Sequence, residues 1–289
     1  MLKHTHPTLS ALLRLIRMDR PIGTWLLLWP ALWALWTASR GWPEPRLLVI
    51  FILGAFLMRS AGCAINDFAD RHLDGHVHRT QDRPLVMGQL SPSVALVTAA
   101  TLSILAFVLV LFTNALTIAL SFVAVLLAAV YPFMKRYMPL PQAVLGAAFA
   151  WSIPMAYAAV TSHITQTDLW LMYGSVLLWT LAYDTQYAMA DRSDDVKIGI
   201  QSSAILWGQA DIWIIASLQL LALMGLLLIG QRLQLNVMFS LSLLMAGCFF
   251  GYQFWLTKNR QPQQCLRAFK NNHWVGASIF MGLLLNYIG

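Results

Sequence analysis

The sequence predicts an all-α polytopic membrane protein with nine transmembrane helices. Of its 289 residues, 58% are hydrophobic and only 11% are charged, whereas charged residues make up about 25% of an ordinary soluble domain. The nearly charge-free stretches 94–112 and 214–230 are long enough to cross a hydrocarbon core of about 30 Å as helices. These observations exclude an ordinary soluble domain.

The apolar segments predict where the nine helices lie. We expect spans at about 22–38, 46–66, 93–112, 115–134, 140–160, 168–188, 212–230, 236–256 and 272–288. Pro30, Pro132 and Pro154 fall inside spans, where we expect kinked helices. The first apolar segment is longer than the core of a typical secretory signal, which favours a retained helix over a cleaved signal peptide. Three cysteines without a CxxC pattern predict neither a disulfide framework nor a zinc site.

The basic residues predict the orientation. Fifteen of the nineteen Lys and Arg lie on the side shared by the N-terminal segment and the connections after spans two, four, six and eight. Three lie on the other side: Arg40, Arg46 and Arg232. The positive-inside rule places the basic side in the cytoplasm and the C-terminus outside. This topology, with anionic lipid head groups, accounts for the net charge of +7, so nucleic acid is not required.

Two acidic clusters follow spans two and six, on the predicted cytoplasmic side. The first consists of Asn66, Asp67, Asp70 and Asp74, and the second consists of Asp184, Asp191 and Asp195. At helical spacing the second cluster lies within about 20° of one line. The first shares one helix face if its helix continues past the membrane surface. A helix break near Ser193 is an alternative that the pattern leaves open.

The chemistry of these clusters predicts a metal site. Two carboxylates about 4 Å apart repel by about 4 kcal/mol at an effective dielectric constant near 20. Oxygen ligands alone favour Mg²⁺, which typically binds one or two carboxylates and substrate phosphates. Solvated loop aspartates are the alternative. His72, His76 and His78 are interpreted as loop histidines rather than ligands, because they point away from the acidic face.

Cations flank both clusters, and two interpretations of them stay open. They contact a diphosphate directly, or they simply mark the cytoplasmic side. The set is Arg71, Arg79, Arg83, Lys135, Arg136, Arg192 and Lys197. Arg59 differs, since it lies inside a span, seven residues before Asn66. We favour a position lining a polar cavity over one in which it snorkels or pairs within the bundle.

Four segments resemble a known family. NDFADRHLDGHVHRTQDRPL and YDTQYAMADRSDDVKIGIQS resemble the paired signatures NDxxDxxxD and DxxYAxxDxxDDxxxG of the UbiA-type intramembrane aromatic prenyltransferases. RMDRPIGTWLLLWP and YPFMKRYMPLPQAVLGAAFAWSIPMA resemble the branch that acts on 4-hydroxybenzoate. The resemblance covers essentially residues 1–289, as a single transmembrane prenyltransferase domain.

The resemblance implies a fold and a reaction. The fold is a nine-helix bundle around a central cavity with a cytoplasmic polar cap, in a bacterial inner membrane. The reaction transfers a polyprenyl group from its diphosphate to the ring carbon ortho to the hydroxyl of 4-hydroxybenzoate, with Mg²⁺, in ubiquinone biosynthesis. The prenyl tail is expected to leave through a side opening into the lipid bilayer.

The resemblance and the residues together assign candidate roles. The metal-binding set is Asn66, Asp67, Asp70, Asp74, Asp184, Asp191 and Asp195. The catalytic candidates are Asp191, as a base, with Asp70 and Asp184. The diphosphate-binding candidates are Arg71, Arg79, Arg83, Lys135, Arg192 and Lys197. The candidates for binding the aromatic carboxylate are Arg17 and Arg136, with Arg20 behind them.

Three other functions were weighed against this one. A menaquinone or haem prenyltransferase shares the Asp motifs, but the RMDRPIGT and MKRY segments argue against it. A CDP-alcohol phosphotransferase needs DG followed by AR, whereas Asp74-Gly75 is followed by HVHR. An ion-coupled transporter predicts acidic residues near the bilayer midplane, whereas these lie at one surface.

Overall fold

The computed structural model describes residues 8–288, and over these residues it contains helices and no β-strand. The twelve α-helices of the described part, numbered in chain order, are α1 Leu9–Leu15, α2 Ile22–Ser39, α3 Pro45–Asp70, α4 Pro92–Val110, α5 Ala115–Met134, α6 Pro141–Ala150, α7 Ser152–Thr161, α8 Thr167–Ile198, α9 Ser203–Trp207, α10 Asp211–Arg232, α11 Val237–Thr257 and α12 Pro262–Ile288. The all-α prediction is therefore confirmed for this part of the chain.

Within residues 8–288, eight of the nine predicted spans each overlap one helix, and the span predicted at 140–160 is divided between α6 and α7. By length and composition, six segments of this part of the chain are apolar enough to cross a membrane: Pro45–Asp70, Pro92–Val110, Ala115–Met134, Pro141–Thr161, Ser203–Arg232 and Val237–Thr257. They make the chain a multi-pass membrane protein. Helices α8 and α12, at the positions of spans six and nine, carry several charged or amide side chains.

Local sequence determines where several helices begin and break. Pro45, Pro92 and Pro141 each occupy the first turn of a helix, where a missing N–H costs nothing. Asn114 caps α5 by accepting a hydrogen bond from the Thr117 N–H at 2.9 Å. Pro154 lies just after the α6–α7 break at Trp151, as expected for a residue that removes one helical hydrogen bond.

Buried aromatic and aliphatic side chains fill the centre of the bundle. Trp33 of α2 stacks on Trp179 of α8 with ring centroids 5.3 Å apart. Glycines let helices approach closely, since a Cβ on Gly146 would lie 3.0 Å from the Leu177 carbonyl oxygen. The packed centre fixes the positions from which α3 and α8 extend into the polar end of the bundle.

A buried amide network joins α8 to three other helices. Gln253 of α11 accepts from the Nε2 groups of Gln186 at 3.0 Å and Gln219 at 2.8 Å. Asn272 of α12 donates to Gln186 Oε1 at 3.0 Å and accepts from Trp179 at 2.8 Å. Because unpaired amides are costly in an apolar bundle, this network fixes the rotation of α8 about its axis.

The structure corrects two details of the sequence interpretation. Helix α8 continues without a break from Thr167 to Ile198, so Ser193 does not end it. Helix α3 ends at Asp70, and Asp74 lies in a separate 3₁₀ turn, Asp74–His76. The first cluster therefore does not share one continuous helix face, because the Asp74-Gly75 pair favours a turn.

Candidate active site

Two adjoining cavities occupy the end of the bundle where α3 and α8 extend beyond the apolar core. The larger has a volume of about 870 Å³ and reaches along apolar side chains of α2 to α6. The smaller has a volume of about 140 Å³ and is lined mainly by polar side chains, which include every member of the two acidic clusters except Asp67. Six residues line both cavities: Asn66, Arg79, Arg83, Tyr131, Asp184 and Tyr187. A polar chamber is thus placed directly against an apolar cavity.

Asp67, in the last turn of α3, is held by two arginines. It is 1% exposed, and its Oδ1 lies 2.6 Å from Arg17 Nη2 and 3.0 Å from Arg83 Nη1. Its other oxygen, Oδ2, is buried and has no hydrogen-bond partner among residues 8–288. Asp67 therefore keeps one lone-pair face available towards the larger cavity, which it lines.

Asp70 and Asp74 line the polar chamber. Lys135 Nζ lies 2.6 Å from Asp70 Oδ2, while Asp70 Oδ1 is buried without a hydrogen-bond partner in the described part of the chain. Arg83 Nη1 lies 2.6 Å from Asp74 Oδ2. Burial raises the pKa of Asp74 to about 6, although Arg83 acts in the opposite direction.

The second cluster lies on one face of α8. Arg79 donates two hydrogen bonds to Asp191, from Nε to Oδ1 at 3.1 Å and from Nη2 to Oδ2 at 2.5 Å. The guanidinium of Arg79 lies over the Tyr187 ring, 4.4 Å from its centroid. Asp195 also lines the chamber, and burial followed by repulsion from Asp191 raises its pKa to about 7. The hydrogen bonds between Arg79 and Asp191 join the segment between α3 and α4 to helix α8 across the chamber.

The residues of the chamber fit Mg²⁺. Every candidate ligand is a carboxylate or amide oxygen, and two buried carboxylate oxygens, Asp67 Oδ2 and Asp70 Oδ1, lack partners within residues 8–288. Over the same residues, no three His, Cys, Asp or Glu side chains form a ready-made metal cage, and Asp67, Asp70, Asp74 and Asp191 pair with Arg or Lys. Mg²⁺ needs no such cage, because substrate phosphates and water complete its coordination.

The structure divides the predicted diphosphate-binding cations into two groups. Arg79, Arg83 and Lys135 line the polar chamber. Arg71, Arg192 and Lys197 line neither cavity. Arg71 lies over the Phe68 ring at 4.3 Å, Lys197 pairs with Asp194 at 3.2 Å on the surface, and Arg192 contacts Asp211.

The three arginines predicted to bind an aromatic carboxylate also differ in placement. Arg17 lines the larger cavity and pairs with Asp67. Arg20 lies at the rim of the same cavity and is 69% exposed. Arg136 lines neither cavity and donates to the Ala69 carbonyl oxygen at 2.6 Å. His72, His76 and His78 are exposed and outside both cavities, in agreement with their interpretation as loop residues.

Arg59 lines the larger cavity, as the sequence favoured. It makes no ion pair or hydrogen bond within residues 8–288, and its nearest aromatic contact is Phe149, 5.8 Å from the ring centroid. A guanidinium inside an apolar bundle without a carboxylate partner is costly. We therefore interpret Arg59 as a site for an anionic ligand.

The sequence interpretation overlooked three tyrosines. Tyr131, Tyr183 and Tyr187 all line the larger cavity, and the Tyr183 hydroxyl is buried without a partner in the described part of the chain. The signal was present in the spacing, because Tyr183, Tyr187 and Asp191 recur every four residues and share one helix face.

An acidic chamber with oxygen ligands and cations, open to a large apolar cavity inside a membrane bundle, defines a class of membrane enzyme that handles a lipid diphosphate. Comparison with known proteins agrees. Residues 27–281 match the model of the UbiA prenyltransferase family, and the chain belongs to this family. The prediction of the family is therefore confirmed.

Similar proteins make the relationship more specific. The chain is 57% identical over 279 residues to a 4-hydroxybenzoate octaprenyltransferase of Saccharophagus degradans, covering 96% of this chain and 93% of that protein. It is 56% identical over 278 residues to the protein of the same name from Aeromonas hydrophila, covering 96% of each.

Solved structures share the fold. A UbiA homolog from Aeropyrum pernix K1 in its apo form has a TM-score of 0.81 at 22% identity, covering 91% of this chain and 97% of that one. A UbiA homolog from Archaeoglobus fulgidus bound to GPP and Mg²⁺ has a TM-score of 0.71 at 14% identity, covering 96% and 100%.

Proposed function

We propose that the chain transfers a polyprenyl group from polyprenyl diphosphate to the ring carbon ortho to the hydroxyl of 4-hydroxybenzoate, as a step of ubiquinone biosynthesis. The observation that carries the proposal is the junction of the two cavities, where acidic residues of α3 and α8 face one chamber beside an apolar compartment. The near full-length relatives named 4-hydroxybenzoate octaprenyltransferase support the choice of substrates.

The polar chamber is the proposed diphosphate site. Asn66, Asp67, Asp70, Asp74, Asp184, Asp191 and Asp195 are the proposed Mg²⁺ ligands. Bound Mg²⁺ would neutralise charge that develops on the leaving diphosphate. Arg79, Arg83 and Lys135 line the same chamber and would add charge-assisted hydrogen bonds to the phosphate oxygens. Arg71 and Lys197 stay predictions as direct diphosphate ligands, whereas the contacts of Arg192 with Asp211 support a different role for that residue.

The larger cavity is the proposed site of the prenyl group. Its apolar wall excludes water, which would otherwise capture the allylic cation left when the diphosphate departs. Tyr131 and Tyr187 line both cavities, so their rings lie close to where a cation would form. The ring faces that are not covered by Arg79 would stabilise this cation through cation–π attraction. The apolar wall gives no specific contact that would fix prenyl length, and the side opening for the tail remains a proposal.

Binding of the aromatic acid requires a cation, and Arg59 is our main candidate. Arg17 is occupied by Asp67 and Arg136 by the Ala69 carbonyl, whereas Arg59 lines the cavity without a partner among residues 8–288. Asp191 was the predicted base, but among the three catalytic candidates Asp184 alone lines both cavities, whereas Asp70 and Asp191 line only the polar chamber. We therefore place proton acceptance at Asp184, with Asp191 kept as the alternative.

We also propose that the site faces the cytoplasmic side of the membrane. Basic residues of the connections next to the chamber, including Arg79, Arg83 and Lys135, support a cytoplasmic location under the positive-inside rule. This assignment assumes the nine spans, and the nine spans and the cytoplasmic polar cap are proposed together with it. The bacterial relatives support a cytoplasmic (inner) membrane.

An in-membrane assay tests the function. Membranes containing the protein are supplied with 4-hydroxybenzoate and polyprenyl diphosphates of several lengths, with Mg²⁺ or with excess EDTA. We expect a prenylated hydroxybenzoate only with the divalent ion, and restoration of product when Mg²⁺ is added back after EDTA. Undiminished product in excess EDTA would contradict the proposed metal site, and absence of product under all conditions would contradict the function.

The Mg²⁺ requirement is expected to depend on pH. Asp74 and Asp195 have pKa values raised to about 6 and about 7, so below neutral pH protons compete with the metal for these carboxylates. Lowering the pH from 8 to 6 should therefore raise the Mg²⁺ concentration that gives half-maximal transfer. Rates at saturating Mg²⁺, recorded at each pH, separate this effect from titration of the base. A half-maximal Mg²⁺ concentration that stays constant between pH 6 and 8 would contradict the assignment.

A further inference from the structure

Arg192 follows Asp191 directly in the sequence, but its side chain makes different contacts. Its Nη2 donates to the Ala204 carbonyl oxygen at 2.7 Å and to the Gly208 carbonyl oxygen at 3.4 Å. The same nitrogen contacts Asp211 Oδ2. Arg192 lines neither cavity. It therefore binds the segment between α8 and α10 on the side of α8 that faces away from the chamber.

Asp211 is the centre of this contact. It stands at the start of α10, is 0% exposed, and also pairs with Arg260 Nη2 at 2.8 Å. Arg260, in the turn between α11 and α12, donates to the Gln209 carbonyl oxygen at 2.9 Å as well. A carboxylate buried to this degree needs such partners. The cluster, made of Arg192, Asp211 and Arg260, thus ties three helix ends together.

Two faces of the C-terminal part of α8 make different contacts. One face carries Asp191 and Asp195 into the chamber, and Arg192 anchors the helix from outside it. The last turns of α8 extend past the apolar core, where packing alone gives less support. The ion pair between Arg192 and the fully buried Asp211 restrains the direction of these last turns.

We propose that Arg192 is a positioning residue, held by Asp211, that directs Asp191 and Asp195 into the chamber and does not itself bind diphosphate. The proposal rests on the proposed function, in which these two carboxylates bind Mg²⁺. Residues outside the ligand set that orient metal ligands typically contribute about 10- to 100-fold to metal affinity.

The test compares Arg192→Ala with Arg260→Ala in the full-length protein in lipid nanodiscs. Both variants remove one cation from Asp211, so they are matched in the charge lost, but only Arg192 belongs to α8. We expect Arg192→Ala to speed amide hydrogen exchange in residues 192–200 and to raise the half-maximal Mg²⁺ concentration about tenfold. Arg260→Ala should leave both values close to wild type. Arg192→Lys, which keeps the charge but not the forked geometry, should restore part of the Mg²⁺ response.

Other outcomes overturn the proposal. A raised KM for polyprenyl diphosphate with unchanged hydrogen exchange and Mg²⁺ response would make Arg192 a diphosphate ligand. Equal shifts of hydrogen exchange and of the half-maximal Mg²⁺ concentration in both variants would mean that the cluster stabilises the fold in general and does not position the two carboxylates. Hydrogen exchange is measured without substrate, so its outcome does not depend on the reaction. Failure of the proposed function is recognised separately, by absence of Mg²⁺-dependent transfer in the wild-type protein.

Discussion

Replacing Asp191 with Asn is expected to abolish prenyl transfer while the protein still folds. Asn keeps the shape of the side chain but removes the charge that both Mg²⁺ and Arg79 require. Asp70→Asn should act in the same way from the other cluster, because Asp70 Oδ1 is a buried oxygen without a partner within residues 8–288. We expect each substitution to lower the rate by about 10²–10³ or more, as for removal of a group that stabilises transition-state charge.

The control is Glu44→Gln, an equivalent loss of one carboxylate at an exposed position outside both cavities. Its rate should match wild type. Thermal unfolding in the same detergent verifies that all three variants are folded. Wild-type rates for Asp70→Asn or Asp191→Asn in folded protein would remove the two acidic clusters from the mechanism, and with them the basis for the assignment.

The positions of the long helices could be predicted because a helix that crosses lipid requires a long apolar segment in the sequence. Uninterrupted apolar runs of about 20 residues have few alternatives to a spanning helix. Helix ends outside the apolar zone were harder to predict. The last turns of α8, which reach Ile198, include Arg192, and its contact with Asp211 is not visible in local periodicity. The 3₁₀ turn at Asp74 agrees with the local Asp74-Gly75 pair, but helical periodicity alone does not indicate it.

The sequence predicted which types of residue form the candidate site, but it did not predict which side chains pair with each other. Helical spacing shows which side chains share a face, but the partner of Asp191 is Arg79, 112 positions away. Likewise Asp67 pairs with Arg17, 50 positions away. The sequence therefore predicted a cationic and acidic chamber, and it grouped Arg192 with Arg79. The fold separates them, because Arg79 lines the chamber and Arg192 contacts Asp211 outside it.

Replacing Arg59 with Gln is expected to raise the KM for 4-hydroxybenzoate by about 10- to 100-fold, the range for losing a hydrogen bond to a charged group. The KM for polyprenyl diphosphate should change little, because the proposed diphosphate site is the polar chamber, which Arg79, Arg83 and Lys135 line. Gln keeps a polar side chain in the cavity, so a loss of packing does not account for the effect. Arg17→Gln and Arg136→Gln are the matched comparisons.

A change of substrate sharpens this test. With a phenol that lacks the carboxylate, wild type and Arg59→Gln should become nearly equal in kcat/KM, because neither forms the ion pair. This double comparison isolates the contact between one guanidinium and one carboxylate. If instead Arg17→Gln or Arg136→Gln shows the carboxylate-dependent loss and Arg59→Gln does not, the aromatic acid binds at that arginine and not at Arg59. Arg17 and Arg136 would then have to exchange their present partners, Asp67 and the Ala69 carbonyl, for the substrate.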